Sequence, residues 1–159
     1  SPAVLMRRGD FFVRQRDTDA ALAEYRRMLE LHPKDPVANN NIAYQLLTSG
    51  GDLREALKAA EIAAEGLPRD PHVLHTLGVA QLRSGELEQS EVNLTNALQL
   101  RPGDPTLLLD YGQLLMKQGD TEGGRRQIQS ALNSARILGV EFERQAEAEQ
   151  ILAESDTGT

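Results

Sequence analysis

The sequence has no cysteine, no tryptophan, and only three phenylalanines and three tyrosines among its 159 residues. Without cysteine the chain forms no disulfide, no thiolate metal site and no cysteine nucleophile. With so few aromatic side chains, the core must consist mainly of leucine and alanine, which is typical of all-helical proteins. No apolar run approaches the roughly 18 residues of a membrane-spanning helix. The composition therefore favours an all-α chain without membrane insertion.

Basic residues are also scarce relative to acidic ones. The sequence has 17 lysines and arginines and 24 aspartates and glutamates, which gives a net charge of −7. Nucleic-acid-binding proteins normally present a basic surface. We therefore expect no nucleic-acid partner.

The stretch 71–104 has the clearest organisation in the chain. Asp70-Pro71 precedes it, and both residue types favour a helix start. Two apolar stripes at helical spacing follow, interrupted by Gly85. The stretch predicts two antiparallel helices joined by a tight turn. One such hairpin cannot bury both faces, so it must stack on neighbours.

The same pattern recurs along the chain. Ser1-Pro2, Asp35-Pro36, Asp70-Pro71 and Asp104-Pro105 follow one another at intervals of 34, 35 and 34 residues. Small residues coincide at fixed offsets after these pairs, at Gly9, Ala43, Gly78 and Gly112, and again at Ala21, Ala56, Ser90 and Gly124. This period with small residues at fixed places resembles the tetratricopeptide repeat family, over about residues 2–138.

The resemblance implies an all-α fold, a right-handed α-solenoid of four helical hairpins. We expect one solenoid domain over residues 1–154 and a disordered tail over 155–159. The repeats are expected at about 2–35, 36–70, 71–104 and 105–138, with a C-terminal capping helix at about 140–154. Ser1-Pro2 resembles the other repeat boundaries, so we expect the sequence to be a piece of a longer chain.

Arg8 departs from the repeat pattern, because the other copies have apolar or aromatic residues at its place. Two explanations are open. Arg8 could face a further upstream repeat, or its stem could pack while its charged head reaches solvent.

In the family, the first helices of successive repeats line a concave groove that binds extended peptides or partner helices. Transferred to this sequence, the groove residues are Asn40, Asn41, Tyr44, His72, His75, Arg83, Gln113 and Lys117. Tyr44 is the expected aromatic anchor. The places of the family's carboxylate clamp hold Met6, Asp10, His72 and Thr76, so a clamp of that type is not expected.

Three groups within this set have competing interpretations. Asn41 could donate to and accept from a peptide backbone, or be a solvated polar residue like its neighbours. His72 and His75 could bind a metal, make binding pH-sensitive, or serve as polar groove residues, and we predict no metal. Arg83 and Lys117 could steer an acidic partner, or simply suit the helix dipole.

We therefore predict a non-catalytic module that binds a peptide or partner helix, without a cofactor, within a larger bacterial scaffold or assembly protein. The alternative is a structural unit that self-associates through its terminal helices. The second and third repeats also look similar to bacterial cell-envelope tetratricopeptide proteins, including those of polysaccharide export. That similarity implies a periplasmic or membrane-tethered chain rather than a cytoplasmic one.

Overall fold

The computed structural model describes residues 1–156 and confirms the all-α prediction. Within this range the chain forms nine helices and no strand. The helices are α1 (Pro2–Arg14), α2 (Thr18–Leu31), α3 (Pro36–Ser49), α4 (Leu53–Gly66), α5 (Pro71–Ser84), α6 (Leu87–Leu100), α7 (Pro105–Lys117), α8 (Thr121–Leu138) and α9 (Gln145–Asp156). None of these described helices is both long enough and apolar enough to cross a membrane.

Aspartate side chains define most of the helix starts. Each accepts hydrogen bonds from backbone amides of the first turn, which have no partner within the helix. These caps are Asp17, Asp35, Asp52, Asp70, Asp104 and Asp120. Proline in the first turn adds to the signal in α1, α3, α5 and α7, because its missing N–H is not needed there.

The chain divides into two compact units, residues 1–85 and the part from Glu86 onward. In the first unit, α1 packs on α2 and α3 on α4, while α5 packs on α3 and α4. Alanines fill much of its core, and Tyr25 and Ile42 are its largest fully buried side chains. Tyr25 lies against Gly9, where an added Cβ would come within 2.3 Å of the ring. The aromatic ring therefore occupies the space that glycine leaves open.

The second unit contains α6 to α9. Leu109, Ile128 and Ala131 are fully buried at its centre. A Cβ at Gly124 would lie 2.6 Å from the carbonyl oxygen of Gly112. The two glycines therefore permit a close approach of α7 and α8.

The C-terminal helix begins at Gln145, later than the expected position near 140. Gly139 ends α8 in the left-handed conformation, and residues 140–144 form an irregular connection. Phe142 in this connection is buried in the core of the second unit. The helix continues to Asp156, into the segment expected to be a tail, and residues 157–159 lie outside the described part of the chain.

Candidate peptide-binding site

An open pocket of about 390 Å³ lies in the first unit, bounded by α3, the end of α4 and α5. Five of the eight groove residues expected from the sequence line it. The full lining is Val37, Asn40, Asn41, Tyr44, Leu67, Asp70, His72, Val73, His75 and Thr76. The pocket therefore collects most of the expected site residues in one place.

Helical periodicity explains why these side chains converge. Positions 37, 40, 41 and 44 follow i, i+3, i+4, i+7 spacing, so they share one face of α3. Positions 72, 75 and 76 follow i, i+3, i+4 spacing on the first turns of α5, and position 73 lies beside them. Asp70 fixes the start of α5 by accepting hydrogen bonds from the amides of His72 at 2.8 Å and Val73 at 3.2 Å.

The three consecutive asparagines of α3 have different surroundings. Asn39 is buried, and its Nδ2 donates to the carbonyl oxygens of Asp35 at 2.8 Å and Pro33 at 3.2 Å. It therefore stabilises the turn that leads into α3, so the alternative in which these asparagines are solvated polar residues does not hold for Asn39. Asn40 and Asn41 are half-buried and line the pocket.

Asn41 is also connected to the preceding hairpin. Its Nδ2 lies 3.6 Å from the Sδ of Met6 in α1, and its side chain lies beside the Tyr25 hydroxyl of α2, where it acts to lower the pKa of that group. The Tyr25 hydroxyl in turn donates to Asp10 at 2.8 Å. Burial, followed by this bond to Asp10, raises the pKa of Tyr25. Asn41 thus joins three helices as well as lining the pocket.

Asn40 differs from both of its neighbours. Its Oδ1 is buried and accepts no hydrogen bond. Buried polar atoms in folded proteins nearly always have partners, so this oxygen is an exception within the pocket wall.

Tyr44 supplies the exposed aromatic surface of the pocket, with 48% of its area accessible. An aromatic ring that is already exposed can bury apolar area on binding at small cost in conformational entropy. Tyr44 is therefore well placed to act as an anchor.

His72 and His75 are one turn apart and both line the pocket, His72 exposed and His75 half-buried. Across the described residues, no three histidine, cysteine, aspartate or glutamate side chains form a group that could hold a metal ion. Both histidines therefore belong to the wall of the pocket.

Arg83 does not line the pocket. Its Nη1 donates to the carbonyl oxygen of Leu47, so it joins the last turns of α5 and α3. The structure therefore gives Arg83 a bracing contact that was not foreseen from the sequence.

Gln113 and Lys117 belong to the second unit. Gln113 Nε2 donates to Glu147 Oε1 of α9 at 2.7 Å, whereas Lys117 is exposed in the last turn of α7. Glu147 also pairs with Arg144, which pairs with Asp110 of α7. Only the three-residue spacing of Arg144 and Glu147 hints at this cluster in the sequence, since such spacing allows a side-chain pair on a helix.

Arg8 pairs with Glu24 of α2, with Nη2 and Oε1 2.8 Å apart. About half of the Arg8 side chain is exposed. Glu24 is buried, so Arg8 supplies the cation for a buried carboxylate, a pairing that neither explanation above foresaw.

Two tetratricopeptide repeat models match this sequence, one over residues 2–44 and the other over residues 81–136. Together the two matches cover more than half of the chain. The chain belongs to the tetratricopeptide repeat family. Members of this family are generally non-catalytic, and the fold indicates a protein–protein interaction module.

A curated relative supports the assignment. The TPR repeat-containing protein PA4299 of Pseudomonas aeruginosa is 32% identical over 118 residues, which are 74% of this chain and 47% of that protein. The chain thus spans about half the length of this relative.

Solved structures confirm the fold prediction. The thermophilic TPR protein TTC0263 of Thermus thermophilus aligns with a TM-score of 0.73 and 25% identity, covering 97% of this chain and 80% of that one. MamA of Desulfovibrio magneticus aligns with a TM-score of 0.73 and 20% identity, over 86% and 76% of the two chains. Pseudomonas aeruginosa pilF aligns with a TM-score of 0.74 and 17% identity, over 96% and 66%.

Proposed function

We propose that the protein binds an extended peptide segment of a partner protein in the pocket between α3 and α5. The observation that carries this proposal is the convergence of Asn40, Asn41, Tyr44, His72 and His75 on one open pocket. Its volume falls within the roughly 300–1,000 Å³ typical of ligand sites.

The chemistry of the lining favours a peptide over a purely apolar ligand. Val37, Leu67 and the ring of Tyr44 offer apolar surface to a side chain. Asn40 and the exposed His72 add polar groups close to that surface, and a peptide backbone carries both donors and acceptors at every residue. The combination suits a segment that buries one side chain while its backbone is hydrogen-bonded.

The biological role we propose is that of a docking unit within a larger bacterial scaffold or assembly protein. The length of the curated relative supports the larger protein, since this chain spans about half of it. Binding without catalysis suits the generally non-catalytic nature of the family.

Selection from a random library of 12-residue peptides on the immobilised protein tests the proposal. Peptides that bind wild type should lose about tenfold or more in affinity on Tyr44→Ala, because an exposed aromatic anchor commonly contributes more than 1 kcal/mol. Val92→Ala is the matched control, since Val92 is 60% exposed on α6 and lies outside the pocket. Selected peptides that bind Tyr44→Ala as tightly as wild type would refute this site.

A second candidate function is self-association through the exposed end of α8, near the C-terminus. Ile137, Leu138 and Val140 are exposed together where α8 ends, with Ile137 80% accessible. Contiguous exposed apolar residues are typical of protein interfaces. Light scattering at increasing protein concentration tests this candidate: a dimer that Ile137→Lys returns to monomer supports it, and a monomer throughout contradicts it.

A further inference from the structure

Asn40 has a side-chain oxygen without a hydrogen-bond partner. Asn40 Oδ1 is buried without a hydrogen bond, in a side chain that lines the pocket. An acceptor in this state has lost its water and gained nothing in exchange, which destabilises the free protein. Residues that depart from the general rule that buried polar atoms are hydrogen-bonded are found preferentially at functional sites.

The two neighbouring asparagines make the exception informative. Asn39 donates through its side-chain amide to two carbonyl oxygens at the α2–α3 turn. Asn41 directs its side-chain amide at the Met6 sulfur and lies beside Tyr25. All three residues are asparagine in one helix, so a low helix propensity affects each of them alike. Only their hydrogen bonds distinguish the three residues, and Asn40 Oδ1 accepts no hydrogen bond.

We infer that Asn40, rather than Asn41, is the asparagine that recognises the ligand, and that the ligand presents a backbone N–H to it. The inference rests on the proposed function of the pocket. The terminal torsion of asparagine is broad, so the amide can turn and present its oxygen to the pocket space that the side chain already borders. A ligand N–H then completes the hydrogen bonding that the free protein lacks.

A neutral backbone amide fits better than a cationic side chain. The pocket lining contains one carboxylate, Asp70, and its Oδ1 already accepts two backbone amides at the start of α5. A buried ammonium or guanidinium group would need a carboxylate partner. An amide oxygen, in contrast, is a sufficient partner for a neutral N–H.

Asn40→Leu and Asn40→Ala test the inference, with Asn41→Ala as the matched control. The probe is the tightest Tyr44-dependent 12-residue peptide from the library selection. We expect both Asn40 variants to lose about tenfold in affinity for this peptide, as a lost hydrogen bond of ordinary strength implies. We also expect them to melt no lower than wild type, because the Asn40 oxygen has no hydrogen bond to lose. Asn41→Ala should melt lower, because it breaks contacts to α1 and α2.

N-methylation of each peptide amide in turn identifies the donor. One methylated position should weaken binding to wild type about tenfold and have little effect on Asn40→Ala, which marks the N–H that reaches residue 40. Equal affinity of wild type and both Asn40 variants for a Tyr44-dependent peptide would overturn the inference while leaving the pocket proposal standing. If no selected peptide depends on Tyr44, both are overturned.

Discussion

Arg144 pairs with Asp110 across the second unit, with Nη1 and Oδ1 2.7 Å apart. Asp110 lies on α7 and its side chain is only 4% exposed, whereas Arg144 comes from the connection before α9. Arg144 also bonds Glu147 of α9 through its Nε at 2.7 Å. One guanidinium thus neutralises a buried carboxylate and fixes the start of the last helix.

Removing the Arg144 charge should be strongly destabilising. Arg144→Met leaves Asp110 buried without its cation, so the free energy of unfolding should fall by about 3 kcal/mol. Urea denaturation measures the change. Arg26→Met is the matched control, because Arg26 pairs with Glu55 in a bidentate bridge whose two side chains are about half exposed. That substitution should cost less than about 1 kcal/mol.

The double variant Asp110→Leu with Arg144→Met separates burial of charge from loss of packing. A buried ion pair can often be replaced by apolar residues of similar volume at little cost. We expect the double variant to recover most of the stability lost in Arg144→Met. A double variant less stable than the single one would contradict this account of the pair.

The docking of α9 should depend on pH in the acidic range. The hydrogen bond from Arg144 lowers the pKa of Glu147, against burial, which raises it. A carboxylate with a lowered pKa in the folded state stabilises the fold above its unfolded pKa and loses that effect as the pH falls through the folded pKa. The stability difference between wild type and Glu147→Gln should therefore shrink as the pH falls below the ordinary glutamate pKa of about 4.3. Thermal melts at a series of pH values give this difference, and a constant value across the range would contradict it.

Gly9→Ala tests the packing of the first hairpin, because the sign of its change in the free energy of unfolding depends on whether the Tyr25 ring fills the space at Gly9. Alanine is favoured over glycine inside a helix by about 0.8–1 kcal/mol. At this site the added Cβ would lie 2.3 Å from Tyr25 Cε1, and the ring is held by its bond to Asp10. We expect a net loss of about 1–2 kcal/mol, since overpacking a well-filled core is costly.

The background Tyr25→Leu is the control for that prediction. With the ring removed, Gly9→Ala should cost little or become stabilising. If Gly9→Ala stabilises the wild-type background, the ring does not fill the space at Gly9.

The fold could be predicted from sequence because its signals are local and repeated. Asp and Pro at fixed intervals start the helices, as Asp35 and Asp70 show, and small residues mark where helices approach. The pocket followed from the same register, since residues at equal offsets in α3 and α5 fall on neighbouring faces. For this reason Asn40, Asn41, Tyr44, His72 and His75 lie together.

The individual roles could not be predicted, because they depend on contacts between distant parts of the chain. Arg83 bonds a carbonyl 36 residues away, and Gln113 bonds a carboxylate 34 residues away. Nothing in the local pattern distinguishes Asn39, Asn40 and Asn41, yet one holds a turn, one has an unpartnered oxygen and one bridges three helices. Periodicity assigns a residue to a face, whereas its hydrogen-bond partner is set by the assembled fold.

Amide chemical-shift mapping with a selected 12-residue peptide tests the central proposal most directly. Titrating the peptide into ¹⁵N-labelled protein locates binding without any substitution. If the peptide binds in the pocket, the largest shifts will occur in residues 37–44 of α3 and 67–76 at the start of α5. Largest shifts around residues 137–140 or in α9, with α3 unaffected, would contradict it.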